Sequence, residues 1–235
     1  MTADIAPPPL QIAMLAYPAM TLLDLCGPQT VFSPHARTYL VWETLDPIIT
    51  DSGIVVTPDT TFDNCPQDLD VLFAPGGYGT YDVMENERAL AFMADRGRTA
   101  KYVTSVCSGS LILGAAGLLE GYRAACHWAC YDILKELGVT PDHGRVCFDG
   151  NRITGGGVTA GLDFGLRVLA ELRDEETAKM SQLMMEYDPK PPFNAGSPES
   201  AGPELTSFVT NMLQSLSDHG VEVARQLRAK KLVTA

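Results

Sequence analysis

Short apolar runs alternate along the chain with stretches whose apolar residues recur at helical spacing, and that alternation is the strongest structural signal in it. Leu10 to Ala16 is a short, largely apolar run ending at Tyr17-Pro18, which predicts a first strand. Thr21 to Phe32 then carries apolar residues at helical spacing and predicts a first helix. Thr38 to Leu45 alternates as a strand does, and Ile54 to Pro58 with Thr60 to Phe62 predicts a small β excursion. Asp70 to Ala74 is a buried strand running straight into Pro75-Gly76-Gly77, a strong turn signal. Glu85 to Arg96 predicts a helix and Lys101 to Val106 the next strand. Ser110 to Leu119 is apolar all round, as expected of a helix packed under a sheet.

After the turn at Glu120-Gly121, His127 to Leu137 reads as a helix closed by Gly138. Arg145 to Phe148 and Arg152 to Thr154 flank Asp149-Gly150-Asn151, a hairpin signature. Gly155-Gly156-Gly157 precedes a helix from about Thr159 to Leu172, and Asp174 to Tyr187 predicts another. Asp188 to Pro203, rich in Pro, Gly and Ser, reads as a loop before a last helix from about Glu204 to Lys231. Strands alternating with helices predict an α/β fold with a mostly parallel sheet covered on both faces. Residues 1–9 read as a flexible N-terminal arm and residues 10–231 as a single domain that includes the last helix.

Composition narrows the possible functions. Among 235 residues, 17 Lys and Arg face 29 Asp and Glu, and a formal charge of −12 argues against a nucleic-acid partner, which needs a basic face. No run approaches the length of a membrane span, and the start of the chain lacks the basic and apolar segments of a signal peptide. Both observations predict a cytoplasmic protein. The six cysteines form no CxxC pair and are expected to be free thiols. Cys126, His127 and Cys130 are the nearest approach to a metal motif, but one short helical segment cannot supply a tetrahedral cage, so no metal is expected.

Chemistry concentrates on Cys107. The strand KYVTSV delivers it directly into Ser108-Gly109-Ser110 and a helix, the strand-nucleophile-x-Gly-helix pattern of a nucleophile elbow. A thiol at a helix N-terminus sits among free N–H groups, which predicts a lowered pKa; the competing reading is a buried core cysteine. Gly77, at the end of the DVLFA strand, is expected to lie beside the KYVTSV strand, where the N–H groups of Gly77 and Ser108 would pair to stabilise an anion. Asp24 stands inside the otherwise apolar MTLLDLC run. Burial would raise its pKa and make it a proton carrier, whereas exposure would leave it an acid complementing the helix dipole. His127 either orients or shares a proton with Cys107, or caps the helix it begins.

Taken together, LLDLCGPQTVF, DVLFAPGGYGT, SVCSGSLILGAAGLLEGYRAACHW and ITGGGVTAGLDFGL resemble the ThiJ/PfpI superfamily of glutamine-amidotransferase-like proteins, over about Leu10 to Glu186. The resemblance implies a flavodoxin-like three-layer sandwich with a cysteine nucleophile elbow. It is strongest to the isonitrile hydratase branch, whose members turn an isonitrile and water into an N-substituted formamide, use an elbow cysteine and an acidic residue, need no cofactor and are homodimers. Cys107 and Asp24 match those two positions, and Ser108 keeps a hydroxyl where the hydratases often carry threonine. Protease-like members have histidine at the position of Ser108, and deglycase-like members have glutamate at that of Asp24. Members fused to AraC-type DNA-binding domains share the CHW and GLD elements, but one helix after Pro203 makes no helix-turn-helix. The alternatives are a noncatalytic thiol redox sensor and a glyoxalase-like or deglycase-like enzyme of the same superfamily. The last helix also presents Leu205, Phe208, Val209, Met212, Leu213 and Leu216 at helical spacing, a stripe that needs cover from the chain's own core or from a second copy.

Overall fold

A computed structural model describes residues 7–234, with side chains described through Lys230. The first six residues of the expected N-terminal arm therefore lie outside the described residues, and Pro7 to Pro9 lead exposed into the first strand. The elements run β1 (Leu10–Leu15), α1 (Leu22–Phe32), β2 (Ala36–Trp42), β3 (Ile48–Ile49), β4 (Val55–Val56), β5 (Thr60–Thr61) and β6 (Val71–Ala74). They continue with α2 (Thr80–Glu85), α3 (Glu87–Gly97), β7 (Tyr102–Ser105), α4 (Gly109–Ala115), β8 (Arg123–Ala125), a 3-10 turn (Trp128–Cys130) and α5 (Tyr131–Glu136). The chain then forms β9 (Thr140–Asp142), β10 (Val146–Asp149), β11 (Arg152–Gly155), α6 (Ala160–Leu172), α7 (Glu175–Met184), α8 (Pro198–Ala201) and α9 (Pro203–Thr234).

Seven strands form the central sheet in the order β10-β11-β7-β6-β1-β2-β5. Every pairing in it is parallel except the β10–β11 hairpin. All four residues of β6 are buried, as in a strand covered on both faces. Helices α1 and α6 pack together, with α7 against α6, while α2 to α5 and α9 form a second connected layer. This is the expected three-layer α/β sandwich. The chain leaves β1 for β2 on one side and returns through β6 to β7 on the other, so β1 and β6 flank the topological switch point, where open α/β sheets bind ligands beyond the strands' carboxyl ends.

Several boundaries differ from expectation for local reasons. The helix read over Glu85 to Arg96 is α3, which begins at Glu87 because the Asn86 side chain accepts the Ala89 N–H at 3.0 Å and caps it, and the short helix α2 that precedes it was not read. The helix read to Leu119 stops at Ala115, where Gly117 adopts φ +79° and the Leu118 N–H turns back to the Leu113 carbonyl. His127 to Leu137 divides into the 3-10 turn and α5, and the loop before α9 contains α8. The parallel pair β8 and β9 was not foreseen: each has three residues, too short for a period to show.

Candidate active site

Three neighbouring strands deliver the residues that matter. Asp24 follows β1, Gly76 and Gly77 follow β6, and Cys107 follows β7, all at the carboxyl edge. Cys107 has φ +56°, a left-handed conformation that costs a side-chain-bearing residue energy. Its backbone is held on both sides: the Cys107 N–H donates to the Gly156 carbonyl at 2.7 Å, and the His127 N–H donates to the Cys107 carbonyl at 3.2 Å. Gly109 is required for the close crossing, since a Cβ there would stand 2.1 Å from the Ala74 carbonyl oxygen.

The β6 turn is pinned to the segment before α1. The Thr21 N–H donates to the Gly76 carbonyl at 2.8 Å, and a Cβ on Gly77 would lie 2.4 Å from the Thr21 nitrogen. This close fit brings Asp24 under the turn. Asp24 is completely buried, with Oδ2 accepting the Gly76 N–H at 2.8 Å and Oδ1 lacking any hydrogen-bond partner of good geometry. Burial raises its pKa, the Gly76 N–H and the Cys107 thiol pull it down, and the balance leaves it at about 7. Of the two readings of Asp24, the buried carboxyl is the one the structure has.

The Cys107 thiol departs from expectation. Burial, above all, pushes it well above the usual thiol value, the Asp24 and Cys130 charges push the same way, and the Ser108 amide opposes them. The lowered pKa predicted from the helix N-terminus does not occur, because α4 spans seven residues and its free N–H groups cannot offset complete desolvation beside a carboxylate. Asp24 and Cys107 each shift the other's pKa, so they titrate as an interacting pair.

Ser108 and Gly77 are close, but not as two free amides. The Gly77 N–H donates to Ser108 Oγ at 3.0 Å, so the expected pairing of the Gly77 and Ser108 N–H groups as anion donors does not hold in this geometry. Ser108 Oγ is 2.8 Å from Thr80 Oγ1, which is 3.1 Å from the Tyr17 hydroxyl, and Tyr17 donates to the Pro75 carbonyl at 2.8 Å. Because Tyr17 spends its hydrogen on Pro75, the chain of donors runs from Gly77 through Ser108, Thr80 and Tyr17 to Pro75. Sequence reasoning missed Tyr17 and Thr80, whose polar atoms are buried by tertiary contact alone. His127 accepts the Ala129 N–H on Nδ1 at 3.3 Å, which is the capping role, and burial lowers its pKa and favours the neutral ring.

Cys107 and Ser108 line a cavity of about 380 Å³. Tyr78, Tyr81 and Trp128 line it together with Val209, Leu213 and Leu216 of α9; no Lys or Arg is among its lining residues. Among the described residues no group of His, Cys, Asp or Glu is placed to hold a metal ion, and no helix is long and apolar enough to cross a membrane.

Residues 10–171 match the DJ-1/PfpI family. The chain belongs to that family. An isonitrile hydratase from Pseudomonas putida is 49% identical over 194 residues, covering 82% of this chain and 85% of that protein. A ThiJ/PfpI family protein from Pseudomonas syringae has a crystal structure that superposes with a TM-score of 0.91 at 52% identity, covering 93% of this chain and 92% of that one. The transcriptional regulator GbdR of Pseudomonas aeruginosa is 29% identical over 153 residues, 63% of this chain but 41% of the regulator. The DJ-1/PfpI match includes the strand ends that carry Asp24, Gly77 and Cys107 and stops before α7 and α9.

Proposed function

We propose that this protein is an isonitrile hydratase in which Cys107 is the nucleophile and Asp24 the proton carrier. The observation that carries the reading is the buried pair itself: a carboxyl with pKa about 7 beside a thiol on a strained elbow, the thiol lining a cavity that has no Lys or Arg in its wall. The similarity to the Pseudomonas putida enzyme supports the same chemistry.

In its singly protonated state the pair exchanges between thiol with carboxylate and thiolate with carboxylic acid. The second form reacts. Asp24 gives its proton to the terminal carbon of R–N≡C as the Cys107 sulfur bonds to the same carbon, forming the thioimidate R–N=CH–S. Water adds its hydroxyl to that carbon while the Asp24 carboxylate takes its proton and passes it to the nitrogen, leaving R–NH–CH(OH)–S and Asp24 ionised again. The C–S bond then breaks, the hydroxyl proton returns to the pair, and R–NH–CHO leaves. Hydrogen and charge balance without a cofactor. Ser108, fixed by Gly77 and Thr80, holds the backbone after the nucleophile, and its amide faces the sulfur. Gly77 acts through Ser108, and His127 acts through the Cys107 carbonyl it holds.

The protein is further proposed to act in the cytoplasm as a homodimer, without nucleic acid or membrane partners. Exposed Leu205, Phe208 and Met212 on α9 and Leu183 and Met184 on α7 supply apolar surface for a second copy. A thiol sensor has no need of a proton-carrying carboxyl beside its cysteine, which favours the hydratase. Incubating the purified protein with cyclohexyl isonitrile and following N-cyclohexylformamide by NMR tests the reading; no formamide above that formed by Cys107→Ala overturns it.

A further inference from the structure

The family match ends at residue 171, yet the cavity over Cys107 is lined in part by α9, which begins at Pro203. Val209, Leu213 and Leu216 follow helical i, i+4, i+7 spacing and put one apolar stripe against the cavity. Their placement is built in. Gly220 lets α9 approach so closely that a Cβ there would lie 2.5 Å from the Tyr81 ring and 2.7 Å from Ile133. Val223 and Ala224 are buried one turn further on, and Arg225 pairs with Glu136 of α5 at 2.9 Å. The anchored half of the helix thereby holds the other half over the nucleophile. Tyr78, Tyr81 and Trp128 add aromatic surface to the cavity wall.

We infer that the α9 stripe is the subsite for the substrate's R group and that it selects isonitriles with bulky, uncharged, apolar substituents. This rests on the hydratase reading for the reacting end and on cavity chemistry for the rest. A carboxylate or phosphate on the substituent would enter a cavity with no Lys or Arg in its lining and with Asp51 beside it, so anionic substituents are rejected. Each methylene seated against the stripe raises kcat/KM by roughly fourfold, the factor that burying one such group brings. Leu213 and Leu216 are specificity-determining residues here, because they contact the substituent and not the reacting carbon.

The test compares methyl, tert-butyl and cyclohexyl isonitrile on the parent, on Leu213→Ala/Leu216→Ala and on Leu213→Trp. Alongside, calorimetry measures binding of N-cyclohexylformamide. In the parent, kcat/KM rises from methyl to cyclohexyl. Both variants reduce the cyclohexyl-to-methyl ratio by about tenfold or more and weaken formamide binding. If the leucine pair destabilises the fold, Leu213→Trp, which fills rather than empties the cavity, still gives the answer. An unchanged ratio and unchanged formamide binding overturn the subsite. Altered dimerisation in light scattering with an unchanged ratio also overturns it, and assigns the stripe to a second copy. If the parent hydrates no isonitrile while the variants still weaken formamide binding, the subsite stands and the hydratase reading fails.

Discussion

Two buried charged side chains in this protein are treated in opposite ways. Arg96, on α3, is 6% exposed, and its guanidinium is used up by the structure. Its Nε donates to the Pro66 carbonyl at 3.1 Å, its Nη2 to the carbonyls of Cys65 at 2.9 Å and Phe62 at 3.3 Å, and its Nη1 to Asp95. Asp24 is fully buried yet is left with an unpartnered oxygen, a pKa of about 7 and a coupled thiol. A buried charge kept for stability has its valences filled, because an unfilled one costs free energy. A buried charge that must exchange a proton has to keep a valence open. The Asp24 region is the locally destabilised part, and the strained Cys107 backbone belongs to it.

The largest effect expected from breaking this contrast is at the nucleophile. Cys107→Ala should lower turnover at least about ten-thousandfold with little change in midpoint of thermal unfolding, and residual activity of a few per cent in a folded sample would end its role as nucleophile. Arg96→Leu should do the reverse. Stripped of their donor, the Phe62, Cys65 and Pro66 carbonyls cost stability by about 3 kcal/mol in urea unfolding, while kcat per folded molecule stays at the parent value. A Leu variant as stable as the parent would show that solvent satisfies those carbonyls.

Asp24→Asn should lose about a hundredfold in turnover, in line with general acid–base contributions. It should also become more stable than the parent at alkaline pH. A carboxyl whose pKa rises from 3.8 unfolded to about 7 folded still binds its proton in the folded state when the unfolded chain has lost it. Its contribution to stability is therefore retained below about pH 4 and falls across the interval up to pH 7, by a few kcal/mol. Asn, which does not titrate, should be stabilised relative to the parent above pH 7, and equal pH dependence of the two would contradict a buried, raised Asp24. Removing the neighbouring negative charge should also speed alkylation of Cys107 by iodoacetamide, measured by peptide mass mapping. For the parent, the reactive pair holds one proton, so kcat/KM should rise with pH through about 7 and then level.

The smallest effect is expected at Ser108. Ser108→Ala removes the acceptor of the Gly77 N–H and breaks the chain to Thr80 and Tyr17 without touching the thiol's own proton partner. A loss of about tenfold in kcat with KM unchanged is expected from one misplaced hydrogen bond. A loss as large as that of Asp24→Asn would promote Ser108 from positioning to proton transfer.

The linear sequence determined a good deal here, because the relevant signals are local. The short apolar runs that became β1, β6 and β7, the glycines after β6 and β7, and the helix that follows Cys107 all act within a few residues of themselves. So the parallel α/β class, the elbow and the candidacy of Asp24 were legible in order along the chain. Tertiary structure decided the rest. The sign of the Cys107 shift depends on the competition between a short helix's N–H groups and burial beside a carboxylate that lies 83 positions earlier in the chain. The Gly77 amide is taken by Ser108 instead of standing free, and Tyr17 and Thr80 become a buried relay through contacts between β1, β6 and α2 that no local pattern encodes. The seating of α9 over the cavity depends on Gly220 fitting against Tyr81, on buried Val223 and Ala224 and on the Arg225–Glu136 pair, and a missing Cβ says nothing about its partner until the chain is folded.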